Sequence, residues 1–311
     1  MLTTVQDLGR VGHTALGVAR AGAADALSLR VGNRLVGNDD GAAALEFTLL
    51  GGALRCEDDD VIVALAGAPL AATIEERDGS ERALPRYVAT ALSAGCTLRL
   101  RGTAWGVRAY LCVRGGIDVP LVLGSRATHV ASQLGGHAGR ALRAGDRARV
   151  AGARGRAHAR TLTPKIAAEL DGMLRQPTLR ATDAAHAAAF TDDARAEFWR
   201  GQFTVTDRCD RAGIRLHGPL LASPNQGVMR SEGLPRGAIE ISGDGEAIVL
   251  LSDGPPTGGY PTPACVASVD HPRLGQLRPR ETIGLQRVSL DEARSLFAAR
   301  EAWLGRAVPP P

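Results

Sequence analysis

Asp7, Arg10, Asp25, Glu46, Asp210, Arg211, Arg215, Glu240 and Asp253 stand beside glycines or inside aliphatic runs of this 311-residue chain. A carboxylate at the end of an aliphatic strand can act as a general base or hold a substrate amide, and an arginine fork binds a carboxylate or phosphate through two parallel hydrogen bonds. Glu46 in Ala44-Leu-Glu-Phe and Glu240 in Ala238-Ile-Glu-Ile are the sharpest cases. An unpaired carboxylate inside an apolar strand costs several kcal/mol or takes up a proton, so each must face a partner or a cleft. Asp253 opens Gly254-Pro-Pro-Thr-Gly-Gly-Tyr260, a rigid and then permissive loop that can bring backbone N–H groups and the Thr257 hydroxyl to a ligand. Turn clamping is the competing reading for Asp7, Arg10 and their later counterparts, because glycine-flanked Asp and Arg commonly fix loops.

The elements that carry these residues occur twice. Gln6-Asp-Leu-Gly-Arg10 is answered by Asp210-Arg-Ala-Gly-Ile-Arg215, Ala44-Leu-Glu-Phe by Ala238-Ile-Glu-Ile, and Val61-Ile-Val-Ala-Leu-Ala-Gly by Ala247-Ile-Val-Leu-Leu-Ser-Asp-Gly. An offset this long duplicates a whole domain rather than a stacked repeat. The expected organisation is a domain over 1–150, a linker with a short helix over 151–176 and a second domain over 177–305. The run from Arg140 to Arg160, rich in Arg, Ala and Gly, reads as a solvated linker.

Short aliphatic or alternating segments predict strands at 2–6, 44–50, 61–66, 70–76, 96–101, 107–113, 203–206, 237–241, 247–251 and 282–287, a pattern of sandwiches or barrels. Helical spacing is confined to 25–36, behind Asp25 as N-cap, to 164–175 and 191–200, and to 290–304, which opens with the capping box Ser289-Leu-Asp-Glu292 and is expected to stop at Gly305. The tail Val308-Pro-Pro-Pro311 is expected to fray. The Asp253–Tyr260 loop is expected beside Asp210, Arg211 and Arg215, in a cleft of both charge signs.

Composition excludes several classes. A hydrophobic fraction of 44% with 23% charged residues is that of an ordinary globular protein, without an apolar run long enough to span a membrane. The five cysteines are odd in number and widely spaced, so free thiols and a cytoplasmic location are expected. A net charge of +4, dispersed and with few aromatics, gives no phosphate-tracking stripe for nucleic acid. The single lysine, Lys165, follows a proline in Thr-Pro-Lys-Ile. It suits neither a Walker loop, nor biotin attachment, nor a Schiff base. The histidines are isolated, and metal-ligand spacings are missing.

Thr4-Val-Gln-Asp-Leu-Gly-Arg10, Gly17-Val-Ala-Arg-Ala-Gly-Ala-Ala-Asp25, Asn33-Arg-Leu-Val-Gly-Asn38, Tyr110-Leu-Cys-Val-Arg-Gly-Gly-Ile117, Leu123-Gly-Ser-Arg126, Ser231-Glu-Gly-Leu-Pro-Arg-Gly-Ala-Ile-Glu240 and Thr257-Gly-Gly-Tyr-Pro261 stand in order along the chain. In this set the sequence resembles the biotin-dependent carboxyltransferase family of the allophanate hydrolase subunit 2 type, whose bacterial stand-alone members include the C-type 5-oxoprolinase subunits. The resemblance covers nearly the whole chain. It implies a mostly β fold, a tandem pair of cyclophilin-like β-barrel domains with a few short helices.

The family's roles differ. A domain of this kind forms part of urea carboxylase; others partner A-type and B-type subunits in ATP-dependent opening of 5-oxoproline; related pairs modulate a sensor kinase. Without a carboxylase or biotin-carrier segment in the sequence, the lactam-opening complex is the expected role, with ATP and Mg2+ as its requirements and biotin only under the alternative. Glu240, Asp253 and Asp25 are then the catalytic candidates. Asp7, Arg10, Glu46, Ser125, Arg126, Asp210, Arg211, Arg215, Thr257 and Tyr260 are the substrate-binding ones. The chain departs from the family's usual pattern at Glu240, where glutamine is common, at Gly254-Pro-Pro-Thr257, and at Thr182-Asp-Ala-Ala-His186. These departures bear on the substrate.

Overall fold

The computed structural model describes residues 2–152, 160–222 and 229–311. Arg154, Arg156 and His158 of the expected linker lie outside the described residues. The chain divides into two compact units, one of Met1–Arg10, Ala21–Gly172 and Trp303–Pro311, the other of Val11–Arg20 and Met173–Ala302.

In the first unit a five-stranded sheet runs in the order β1 (Leu2–Gln6), β2 (Ala44–Thr48), β9 (Arg108–Val113), β4 (Val61–Gly67), β7 (Thr90–Leu92). A four-stranded sheet runs β3 (Ala53–Arg55), β8 (Thr97–Thr103), β5 (Leu70–Glu75), β6 (Glu81–Ala83), and a two-stranded one pairs β10 (Ile117–Asp118) with β11 (Arg149–Val150). Val5, Leu45, Phe47, Val63, Leu65 and Leu111 of the larger sheet share one core with Ile74, Leu98 and Leu100 of the smaller. With period-2 alternation, the opposite face of the larger sheet carries Thr4, Glu46, Tyr110 and Ala66, which lie in one cross-strand row. Helix α1 (Ala26–Leu35) packs on that face, and its Gly32 is why it lies so close: a Cβ there would stand 2.6 Å from Cys112 Sγ and 3.2 Å from the Ala66 Cβ. Helix α2 (Pro164–Leu174) is fastened to the segment between β6 and β7 by Arg86 and Tyr87, both bonded to Asp171.

The second unit holds a closed seven-stranded barrel in the order β12 (Thr178–Asp183), β19 (Ala264–Val266), β16 (Ala238–Ile241), β17 (Ala247–Leu250), β14 (Gly213–His217), β13 (Gln202–Cys209), β20 (Thr282–Arg287), closed by parallel pairing of β20 with β12. Its interior is aliphatic, and helix α3 (Asp192–Arg200) seals one side with Phe198, whose ring meets Phe203 edge-on at 5.5 Å. A two-stranded ribbon pairs β15 (Glu232–Gly233) with β18 (Thr257–Gly258). The short helix α4 (His271–Leu274) precedes β20, and α5 (Leu290–Ala307) follows it.

The protein is thus mostly β with short helices. Two sequence expectations are corrected. The strand predicted over 44–50 stops at Thr48, because Leu49 turns into the left-handed region at φ 61°. The last helix runs through Gly305 to Ala307, and the tail is held: Val308 is buried, and the Arg34 guanidinium donates to the carbonyls of Leu304 (3.3 Å) and Val308 (2.7 Å), satisfying groups a helix end leaves open.

Gly22 and Gly79 both lie at positive φ, 86° and 82°, but only Gly22 is crowded, a Cβ there standing 2.6 Å from the Gly9 nitrogen. Gly79→Ala should cost about 1 kcal/mol of backbone strain, while Gly22→Ala adds a backbone collision and should cost more than about 2 kcal/mol in denaturant unfolding. Equal losses would show that the approach of the two glycine segments is dispensable.

Candidate functional site

Two buried polar clusters in the first unit take up most of the predicted residues there. Asp7 Oδ1 accepts from the Gly9 amide and the Ser125 hydroxyl, both at 2.7 Å, and its Oδ2 from the Arg126 amide at 2.6 Å. Arg126 sends Nε to the Val119 carbonyl at 2.9 Å, and Arg10, fully buried, donates to the Ala127 carbonyl. Asp7, Arg10, Ser125 and Arg126 therefore tie the 125–127 segment to the chain after β1, which is clamp geometry.

The second cluster catches three successive amides. Ala23 N donates to the Asp7 carbonyl (2.8 Å), Ala24 N to Glu46 Oε2 (2.9 Å) and Asp25 N to the Tyr110 hydroxyl (2.8 Å). The Tyr110 hydroxyl in turn donates to Glu46 Oε2 at 2.7 Å, and Arg108 Nε lies 3.6 Å from Glu46 Oε1. Burial, with Glu46 beside it, pushes the Tyr110 phenol well above its ordinary value. Asp25 caps α1, accepting from the Ser28 amide and hydroxyl at 2.9 and 2.6 Å. Tyr110 and Arg108 are the partners that sequence reading missed: the signal is the register of Tyr110 opposite Glu46, with Arg108 two residues along the same strand face, which no local spacing reveals.

In the second unit the predicted residues separate into three places. Arg211 and Asp253, side chains 5% and 9% exposed, form a bidentate ion pair at 2.9 and 2.8 Å. Asp210 Oδ1 accepts from the Ala212 and Gly213 amides at 2.7 and 3.1 Å, a turn. Asp210 and Arg215, with Asp207, Arg208 and Cys209, line an open hollow of about 450 Å3 that carries both charge signs. At its edge Glu246 bridges Arg208 (2.8 Å) and Arg215 (3.5 Å). The Asp253–Tyr260 loop starts beside Arg211, as expected, with the Asp253 amide donating to the Arg211 carbonyl at 2.9 Å, but it does not line that hollow, and its far end lies on Glu240.

Glu240 faces outward from the barrel, in one cross-strand row with Ile248 and Arg215. It is nonetheless only 5% exposed. Gly258 lies directly over it, since a Cβ there would stand 2.3 Å from Glu240 Oε1 and 2.3 Å from Leu234 Cδ1, and the Tyr260 amide donates to the carboxylate. Glu240 Oε1 has no hydrogen-bond partner among the described residues. Burial raises its carboxyl above the ordinary value, the Tyr260 amide opposing. A carboxyl so placed can hold a proton, accept from a ligand N–H, or take a proton from water. Thr257, the neighbour of Gly258, is exposed, as is Tyr260.

A family model described as "Carboxyltransferase domain, subdomain A and B" matches residues 16–287. The chain belongs to this family. It is 35% identical to the C-type 5-oxoprolinase subunit of Escherichia coli K12 over 94% of its own length and 90% of that protein's. It is 32% identical to the urea amidolyase of Saccharomyces cerevisiae, over 96% of its own length but 17% of that protein's. The crystal structure of the Kluyveromyces lactis urea carboxylase superposes with a TM-score of 0.87 at 28% identity, covering 98% of this chain, which spans 28% of that one. The sequence resemblance is thereby confirmed at the level of the family.

Two outcomes follow from this geometry. Arg211→Ala leaves the Asp253 carboxylate buried beside a deleted partner and should cost about 3 to 5 kcal/mol, whereas Arg215→Ala, a third exposed, should change unfolding free energy by no more than about 0.5 kcal/mol. Chemical denaturation of both variants checks this, and a stable Arg211→Ala would contradict the buried pair. The second concerns pH. Folded Glu240 keeps its proton to higher pH than the unfolded chain, so its neutral form contributes stability that is lost as pH rises from the ordinary 4.5 through the raised folded value. Relative to Glu240→Gln, the native protein should lose stability across that window; parallel melting curves at every pH would contradict it.

Proposed function

We propose that this chain is the C-type member of an ATP-dependent 5-oxoprolinase, opening 5-oxo-L-proline to L-glutamate in the cytoplasm in company with A-type and B-type subunits. The observation that carries this reading is the 35% identity to the C-type 5-oxoprolinase subunit of Escherichia coli along 94% of this chain and 90% of that protein. We also take the two units as diverged copies of one cyclophilin-like barrel, divided near 1–150 and 177–305. In support, each buries a glutamate within an aliphatic strand and brings to it an amide from a glycine-bearing loop, Ala24 for Glu46 and Tyr260 for Glu240.

In this reading ATP activates the lactam by phosphorylating its carbonyl oxygen, which opens the carbonyl carbon to water. Glu240 in its ionised form takes the proton from the attacking water and returns it to the ring nitrogen as the C–N bond breaks; this leaves the new carboxyl as an acyl phosphate, which a second water hydrolyses to L-glutamate and inorganic phosphate. A raised carboxyl suits that exchange, because the acid and base forms interconvert closer to neutral pH. Arg215 and Arg208 offer charge to a carboxylate or phosphoryl group. Asp253 and Asp25 act at one remove, the first by fixing Arg211 and the start of the loop, the second by fixing α1. ATP, with Mg2+, is the requirement of the assembled complex in this reading, its site completed by residues of the partner subunits.

The fold likeness to urea carboxylase favours a second reading, a carboxyltransferase served by a biotin carrier in trans. There the open acceptor Glu240 Oε1 suits a ureido N–H. Mixing the purified chain with the A-type and B-type subunits of its own organism separates the readings. Phosphate release dependent on 5-oxoproline should be negligible for the chain alone and appear on mixing, and Glu240→Gln should lower it about 100-fold or more. Full activity of the isolated chain, or urea carboxylation with a biotin carboxylase in place of lactam opening, would overturn the first reading. Silence in both assays with binding to a sensor kinase would make the chain a non-enzymatic regulator.

A further inference from the structure

His186 lies where three segments of the second unit meet. Its backbone amide donates to the Thr262 carbonyl at 3.2 Å and its Nδ1 accepts from the Thr262 amide at 3.1 Å, so the two residues are joined both ways just past the pairing of β12 with β19. With Nδ1 accepting, Nε2 is the ring's donor. That nitrogen lies 3.5 Å from Oε2 of Glu232, the first residue of the ribbon strand β15.

The ribbon is what covers Glu240. Glu232 stands opposite Gly258 in the ribbon register, and Gly258 is the residue seated on the Glu240 carboxylate. The pairing extends through Leu234 N to the Pro256 carbonyl and Met229 N to the Gly259 carbonyl, both at 2.9 Å. From the ribbon side Glu240 meets Leu234, Gly258 and the Tyr260 amide; along its own row it meets Ile248 and then Arg215. A two-stranded ribbon is marginal by itself and needs an outside tie to stay on a barrel wall. Glu232, with its side chain 52% exposed, gains nothing from burial. Its contact with His186 is therefore a tie between ribbon and barrel.

We propose that His186 is a positioning residue that, through Glu232, latches the ribbon of β15 and β18 over Glu240 and so sets how far water reaches that carboxylate. The latch is independent of which reaction the site performs.

The test is a 13C titration of the glutamate-labelled chain, with the Glu240 resonance identified by its loss in Glu240→Gln. In the native protein this resonance should titrate above 4.5; in His186→Leu it should move back toward 4.5 as water enters. His186→Gln, whose amide can still accept from Thr262 and donate to Glu232, should keep the native value. A folded His186→Leu variant that titrates like the native protein overturns the latch, and so does His186→Gln shifting as far as His186→Leu, since the ring would then serve packing alone. Should His186→Leu fail to fold, Glu232→Ala removes only the ribbon end of the tie: a shift toward 4.5 supports the proposal and an unchanged titration overturns it. Turnover is not read, so failure of the latch and failure of the lactam-opening role are separate results.

Discussion

A carboxylate on an aliphatic strand must be supplied with donors or give up its charge, and most of the local structure around Glu46 follows from that requirement. The strand register brings Tyr110 alongside, the Tyr110 hydroxyl reaches both the carboxylate and the Asp25 amide, and the Ala24 amide completes the arrangement. To present those amides the chain must turn at Gly22 against Gly9, a contact no side chain permits. The start of α1 is thus fixed by a charge located on another element. Deleting one member leaves the others buried and unsatisfied, so the cluster stands or falls together.

Glu240 meets the same requirement incompletely. It receives the Tyr260 amide, and burial raises its carboxyl, but Oε1 has no partner among the described residues. The contrast separates the two glutamates by physics rather than by position. A satisfied carboxylate holds structure, while an unsatisfied one beneath a glycine ribbon is equipped to exchange a proton or meet a ligand.

The main strands and four of the helices were legible because their apolar periodicity is strong and their caps are local: Asp25 to Ser28, Thr191 to Ala194, Ser289 with Glu292. Strands such as β7, β12 and β19 were not, being short and set by neighbours rather than by alternation. β14 was hidden inside a motif read as a charged turn. At the site, the sequence could mark Glu46, Glu240, Arg211 and Asp253 as charges in need of partners, but pairing is a three-dimensional fact. Arg211, expected at substrate, and Asp253, expected in catalysis, are each other's partner, a pair that fixes the start of the loop. Arg34, whose interaction runs to the distant carbonyl of Val308, could not be connected to the helix end by any spacing in the sequence.

The chain has three tyrosines, and they differ in a useful way. Tyr87 and Tyr110 are sealed among buried groups that push both phenols well above the ordinary range. Tyr260 is 42% exposed, and its own backbone amide is the donor to Glu240. A phenol-directed reagent in solution therefore meets one tyrosine ring, that of the loop lying on the buried carboxylate. Modification at that ring reports on the loop, because the other two rings lie out of reach of solvent.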